Sequence, residues 1–450
     1  MSKLDRGAGR LRGPADWTPV AVRLPGEELT PAAPEGDGAR QDSERDVRDL
    51  LARPQMWGFL ATTACVEFCR GALFISLLPA FLTQGLGLSV ADLGIVISAQ
   101  YLSDTAFKIP AGWLVDRFGP WRVLLPFLAA ATCAVFLLPH AHSVLDFIAL
   151  GVLFGCGTSA NWPAVLAGGV HLGGLNSRAR TSSLTFLAWL AGGGLGPVLI
   201  NFLVGRGFTT AFHVLDVVIL GAPLAAGLGL TGLLHRPGDP AWTPPPPQRA
   251  GGRASVAEHL RRTAWLLPGM FIQMLALGMV LPVMVPFARA HLHLSQPQYG
   301  LMLLGGGAVT VLCLLPLGRV VDRWGALIKP FLVGGFAAAG CAVALIVFGH
   351  GEGGLLWRVS LLGLSYAIIL PAWNGLTVGK IDAERRGLLL GVFMAIEGLG
   401  QAIGPAVGGA LYQHDFRLPF LLTGGILVAI AVFYLSMPAR RFRPRGSDAA

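Results

Sequence analysis

The sequence predicts an all-α membrane protein: twelve transmembrane helices in two related six-helix bundles. Three observations predict it. Apolar residues make up 53% of the 450-residue chain and charged residues only 13%, where a soluble chain carries about a quarter charged residues. Apolar runs of the roughly 20 residues needed to cross a bilayer recur along the whole chain. One short pattern occurs twice: Gly112-Trp113-Leu114-Val115-Asp116-Arg117-Phe118-Gly119 returns 206 residues later as Gly318-Arg319-Val320-Val321-Asp322-Arg323-Trp324-Gly325. A repeated unit within a membrane chain points to a transporter built from repeats, with its path between them.

The elements follow in order. Residues 1–52 are polar, rich in Pro, Gly and both signs of charge, and carry no cleavable signal peptide. They read as a disordered cytoplasmic tail. The N-terminal bundle, 53–234, holds runs near 57–82, 91–114, 121–140, 144–168, 181–204 and 213–234. Residues 235–263 contain Pro244-Pro245-Pro246-Pro247 and several Arg, and form a linker. The C-terminal bundle, 264–438, holds runs near 264–288, 298–318, 328–349, 354–378, 387–411 and 418–437. A basic tail, 439–450, ends the chain.

Lys and Arg in the loops set orientation. Nineteen lie on the side of the linker and three (Arg206, Arg289, Arg417) on the other. That bias places both termini and the linker in the cytoplasm, and it accounts for the net charge of +9 without nucleic acid. The six cysteines fall in or beside apolar runs with no metal-type spacing, so they read as buried, reduced thiols. No cofactor, metal or catalytic motif is expected. Gly155-Cys156-Gly157-Thr158-Ser159-Ala160 imitates a dinucleotide fingerprint, but no strand precedes it.

Ionisable groups at membrane depth are costly and usually functional. Glu67 and Arg70 lie three residues apart, on one face of the first run, near mid-depth. Asp104 sits at comparable depth in the second run, with Lys108 one turn further. Two readings stand. The four form structural ion pairs, or they line a water-filled site where a carboxylate loads and releases a proton. Desolvation makes buried pairs weak devices for stability, which favours the second. Glu67 and Asp104 are then the proton-coupling acids and Arg70 their fixed charge. The second half offers Gln273, Arg358, Asn374, Glu397 and Gln401, and reads as the greasier wall. Trp162, Trp189 and Trp373 lie inside runs; each is either a core residue or a platform for a sugar ring. The twin loops, with Gly112, Asp116 and Arg117 and with Gly318, Asp322 and Arg323, read as gates. A glycine strip, Gly391, Gly400, Gly404, Gly408 and Gly409 with Pro405, marks close packing in the eleventh run.

The twin loops, the twelve runs and the Gly-Pro motifs resemble the major facilitator superfamily over about residues 54–437. Glu67-Phe68-Cys69-Arg70-Gly71, Asp104 within Tyr101-Leu102-Ser103-Asp104, Leu370-Pro371-Ala372-Trp373-Asn374, and Gly398 through Pro405 resemble the glycolipid flippases of Gram-positive bacteria within it. The resemblance implies a proton-coupled antiporter that flips a diglycosyl-diacylglycerol type anchor across the bacterial plasma membrane. It implies a sugar site of Glu67, Arg70, Asp104, Trp162 and Trp189 and an apolar pocket in the C-terminal half for the acyl tails. Gln273, Trp373 and Asn374 are the substrate-binding candidates of that half, and a monomer with protons and membrane lipids as partners is expected. Lys108 and Glu397 depart from the pattern. A proton-coupled drug or sugar exporter is the alternative, and a transport-dead receptor a third.

Overall fold

The computed structural model describes residues 48–173, 178–235, 241–243, 261, 263–348, 352–380 and 386–442. They form twelve helical rods: α1 (Pro54–Gly85), α2 (Val90–Phe118), α3 (Pro120–His140), α4 (Val144–Gly173), α5 (Arg178–Val204), α6 (Phe208–Leu230), α7 (Ala264–Ala290), α8 (Gln296–Arg323), α9 (Ile328–Ile346), α10 (Glu352–Lys380), α11 (Arg386–His414) and α12 (Leu418–Ser436). Helices are the natural answer to such composition, because each satisfies its own backbone groups in lipid. Among the described residues ten rods are long and apolar enough to cross a membrane by composition alone. The other two, α2 and α11, are 29 residues each. Their shortfall has a cause: α2 carries Asp92, Asp104, Lys108, Asp116 and Arg117, and α11 carries Glu397, Gln401 and many glycines.

Alternation of the rods gives the molecule two faces. One carries Pro54, Gly119, Arg323 and the linker. The other carries Gly87, Ser143, Ser295 and Asp415. At this far face, capping boxes start α2 (Ser89 with Asp92), α4 (Ser143 with Asp146) and α8 (Ser295 with Gln298). Each satisfies free backbone donors at a helix start and sharpens the turn before it. The first and third caps stand 206 residues apart, as the twin loops do.

The repeat is also visible in the packing. Gly192 meets the Ala64 carbonyl where α5 crosses α1, and Gly400 meets the Phe271 carbonyl where α11 crosses α7. A β-carbon on Gly112 would lie 3.9 Å from Pro163 Cβ, and one on Gly318 4.0 Å from Pro371 Cβ. The two halves therefore share one packing plan, a consequence of small residues at matching positions that let backbones touch.

Residues 48–51, at the end of the expected tail, are helical, and Leu50 is buried beside Phe59 and Trp121. Of the linker, Trp242 is described: its ring packs on Gly119 and tilts against His171. Residues 1–47 and most of the linker lie outside the described residues.

Candidate functional site

The site starts with a close approach of α2 and α4. A β-carbon on Gly155 would strike the Gln100 carbonyl and lie 3.0 Å from the Asp104 amide nitrogen. Only glycine lets the two backbones meet there. Thr158, almost one turn further along α4, is thereby brought to the Asp104 carboxylate. Arg70 of α1 completes the group. Its Nη2 donates to Asp104 Oδ1 (3.2 Å) and to Thr158 Oγ1 (2.8 Å). The Thr158 hydroxyl in turn donates to Asp104 Oδ1 (3.4 Å). Arg70 Nε lies 3.6 Å from Glu67 Oε2. Lys108 Nζ lies 2.6 Å from Asp104 Oδ2.

These groups are buried in a graded way. Asp104 is 2% exposed and Glu67 7%, whereas the Lys108 side chain is 30% exposed. Two acids and two bases balance, so the cluster is neutral when all four are ionised. Two π-helical segments, Ala72–Leu77 and Phe81–Gly85, follow Arg70 in α1. Widened turns of this kind recur at functional sites.

The second half contributes its own polar group. Glu397 Oε1 accepts from Gln273 Nε2 (3.4 Å) and Trp373 Nε1 (3.2 Å), joining α11 to α7 and α10. The sequence reads this half as the greasier wall; within it, two side chains nevertheless converge on one carboxylate. Among the described residues no Lys or Arg forms an ion pair with Glu397.

Other expected residues are placed as follows. Trp162 is half-buried, one turn beyond Thr158 on α4. Trp189 is half-buried and stacks on Phe186 (5.2 Å between ring centroids). Trp373 and Gln273 are buried, and Asn374 is exposed. Asp116, Arg117 and Arg323 are exposed, with Arg117 over the Trp113 and Phe118 rings. Gly112 and Gly318 are half-buried. The side chain of Asp322 lies outside the described residues. Thr158 was not among the expected site residues. Its signal was the glycine pattern around it, which reads as a failed nucleotide motif rather than as a packing notch.

A continuous seam joins the halves. Along α2 and α11, Gly94 meets the Pro405 carbonyl and Ser98 Oγ accepts from the Ala406 amide (2.9 Å). Tyr101 faces Gln401, and Thr105 meets Gly398. Next on the same stripe at helical spacing stand Ile109 and Trp113 of α2 and Met394 of α11. They are 73%, 57% and 36% exposed. The seam therefore parts just past Thr105 and Gly398, and the gap opens toward the linker face. At the far face the halves remain joined, with Gly300 of α8 against Asn201 and Val198 of α5. Two cavities lie away from the Arg70–Asp104 cluster. One of about 570 Å³ is lined by Trp57, Ala61 and Leu228, and one of about 510 Å³ by Gln84, Arg289 and His293.

The family model of the Major Facilitator Superfamily matches residues 59–279 and again 266–449. The chain belongs to this superfamily. It is 25% identical over 381 residues to the proton-coupled antiporter flippase LtaA of Staphylococcus epidermidis, covering 82% of this chain and 91% of that one. It is 26% identical over 377 residues to LtaA of Staphylococcus saprophyticus, covering 82% and 90%. Its fold resembles a mutant of the nucleoside transporter NupG (TM-score 0.67, 15% identity, 84% of this chain and 98% of that one). It also resembles a bacterial homologue of the human lysosomal transporter Spinster in an inward-facing, unoccupied conformation (TM-score 0.67, 14% identity, 86% and 97%). The superfamily fold and these relatives make the chain a multi-pass membrane transporter rather than an enzyme.

Proposed function

We propose that this transporter is a proton-coupled antiporter that flips a glycolipid, of the diglycosyl-diacylglycerol type, from the cytoplasmic to the outer leaflet of a bacterial plasma membrane. The observation that carries the reading is the buried Arg70–Asp104–Thr158 group with Glu67 and Lys108 beside it, standing where the seam between the halves opens. A carboxylate held by two cations and a hydroxyl is a group whose proton affinity depends on what else touches it. The loop charge bias makes the linker face cytoplasmic, so this conformation is inward-open. Cargo then enters from the cytoplasmic side, with the sugar near Glu67, Arg70, Asp104, Trp162 and Trp189. The twin loops act as cytoplasmic gates through Gly112, Asp116 and Arg117 and through Gly318, Asp322 and Arg323.

Charge supports a neutral headgroup. The four N-terminal ions balance, and Glu397 adds a negative group across the gap. A phosphate headgroup would meet excess negative charge, whereas sugar hydroxyls pair well with carboxylates and guanidinium. The names of the staphylococcal relatives support antiport and flipping. One observation favours the alternative of a small-solute exporter: Glu397, Gln273 and Trp373 make the second wall polar where acyl tails are expected to rest.

The test uses the full-length protein in liposomes with a fluorescent diglycosyl lipid. Translocation is expected to accelerate under an imposed pH gradient and to be inhibited by unlabelled glycolipid. No response to the gradient refutes coupling. Uptake of free disaccharide or a cationic drug, without lipid translocation, moves the assignment to the exporter.

A further inference from the structure

Glu397 is a carboxylate inside a membrane protein with no cation in contact among the described residues, and its held oxygen takes only neutral donors. Lys108 is the candidate partner that the packing of α2 against α11 offers. The packing of the seam brings them near one another: Thr105 meets Gly398, the residue that follows Glu397, and Lys108 lies one turn beyond Thr105 on α2, where the helices part. Among the described residues no ion pair joins the two in this conformation. Lys108 is meanwhile bound to Asp104 at 2.6 Å. It is the most exposed member of the cluster, on a flexible stem able to swing.

We propose that Lys108 alternates between Asp104 and Glu397, and that its pairing with Glu397 latches α2 to α11 when the linker face closes. This rests on the reading of the chain as a proton-coupled antiporter and supplies its coupling device. In the present conformation Lys108 sits on Asp104 and the gap is open. Anything that occupies the Asp104 carboxylate releases the ammonium: either a proton, which converts the carboxylate to the neutral acid, or a hydroxyl of the cargo. The freed Lys108 then meets Glu397 as α2 and α11 close the gap below Thr105. An empty, deprotonated carrier keeps Lys108 on Asp104 and does not close. Cargo and proton thus compete for one acid, and each alone permits the transition, which is the requirement for exchange. The other charged or titratable groups facing Lys108, Asp104 and Glu397 are Glu67 and Arg70 from α1, Tyr101 from α2 and Tyr366 from α10. Of these, Arg70 stays on Asp104 in both states and keeps the site assembled.

The latch is read by spin-label distances across the opening, independently of any cargo. Labels at Arg122→Cys and Arg319→Cys, both exposed and one on each half, are placed in full-length protein lacking the six native cysteines. Acidification is expected to raise the short-distance, closed population. A coupling of ordinary strength shifts it about 5–150-fold. Glu397→Gln and Lys108→Gln are each expected to hold the open distribution at every pH, and Glu397→Asp to restore the response in part. A Glu397→Gln protein that closes on acidification as the unmodified protein does overturns the latch; so does closure by Lys108→Gln. If the unmodified protein shows the pH-driven closure and yet gives no gradient-dependent lipid translocation, the antiporter reading fails and the latch survives.

Discussion

Thr310 holds, in the second half, the place that Asp104 holds in the first. A β-carbon on Gly155 would lie 3.0 Å from the Asp104 amide, and one on Gly363 would lie 2.9 Å from Thr310 Oγ1. The two pairs are 206 and 208 residues apart along the chain. In the first half the slot is filled by a charge held by Arg70, Lys108 and Thr158. In the second, the Thr310 hydroxyl donates to the carbonyl oxygens of Gly306 and Gly363, each at 3.0 Å. One packing plan thus carries an ionic site on one side and a hydrogen-bonded plug on the other. Thr310→Asp therefore places a carboxylate where Leu277 stands in the position that Arg70 occupies in the first half. An uncompensated buried charge costs about 3–5 kcal/mol. The melting temperature in detergent is expected to fall sharply, and equal stability of variant and parent would show that the slot is wet.

Arg70 serves Asp104, Thr158 and Glu67 with one planar group. Arg70→Lys keeps the charge and loses the fork, so one ammonium cannot reach all three in this geometry. Proton-driven translocation is expected to drop at least about tenfold, the loss of roughly one charge-assisted hydrogen bond. The variant is expected to insert normally. Retained transport would reduce Arg70 to a simple counter-charge.

Gly155→Ala and Gly363→Ala make a controlled pair. Each inserts a methyl against a carbonyl oxygen of the neighbouring helix, Gln100 in one half and Gly306 in the other. Overpacking of this kind costs about 1–3 kcal/mol, so both are expected to melt earlier. Gly155→Ala also displaces Asp104 from Thr158 and Arg70. Its pH–activity profile is expected to change shape, whereas that of Gly363→Ala keeps its shape. Matching profiles would detach the glycine notch from the proton site.

At the far face, His291 stacks on Phe416 with ring centroids 3.8 Å apart. Partial burial and then the positive neighbours His293 and Arg417 pull its pKa below the ordinary 6.5. The sign follows directly. As pH falls through 6.5 the unfolded chain takes its proton first, so stability present above that value is lost toward the lower folded value. Melting temperature is expected to decline slightly on acidification from about pH 7 to about pH 5.5. His291→Phe is expected to flatten this step; an unchanged slope would assign the decline to other groups.

Much of this molecule is legible in its sequence because lipid imposes simple rules. Each apolar run corresponds to a rod within a few residues of its expected limits, since a helix satisfies every backbone group of a single apolar segment in hydrocarbon. Glu67 with Arg70 and Asp104 with Lys108 were readable as pairs, because helical spacing alone sets which side chains share a face. Partners on different rods were not readable. Thr158 meets Asp104 across 54 residues and Gln273 meets Glu397 across 124. No periodicity relates such positions. The meeting of Gln273 and Trp373 with Glu397 was hidden for the same reason: these residues are far apart along the chain and converge only in space.

By itself, then, the chain determined what is local: the helices, the doubling of the unit, the side from which cations are excluded, and which ions share a turn. Tertiary structure decided which of those ions belong to one site, where the seam stops, and that Glu397 is held by Gln273 and Trp373 with no cation in contact among the described residues. Local rules follow from the geometry of one helix in lipid. The rest depends on how closely two helices approach, which glycines permit but do not specify.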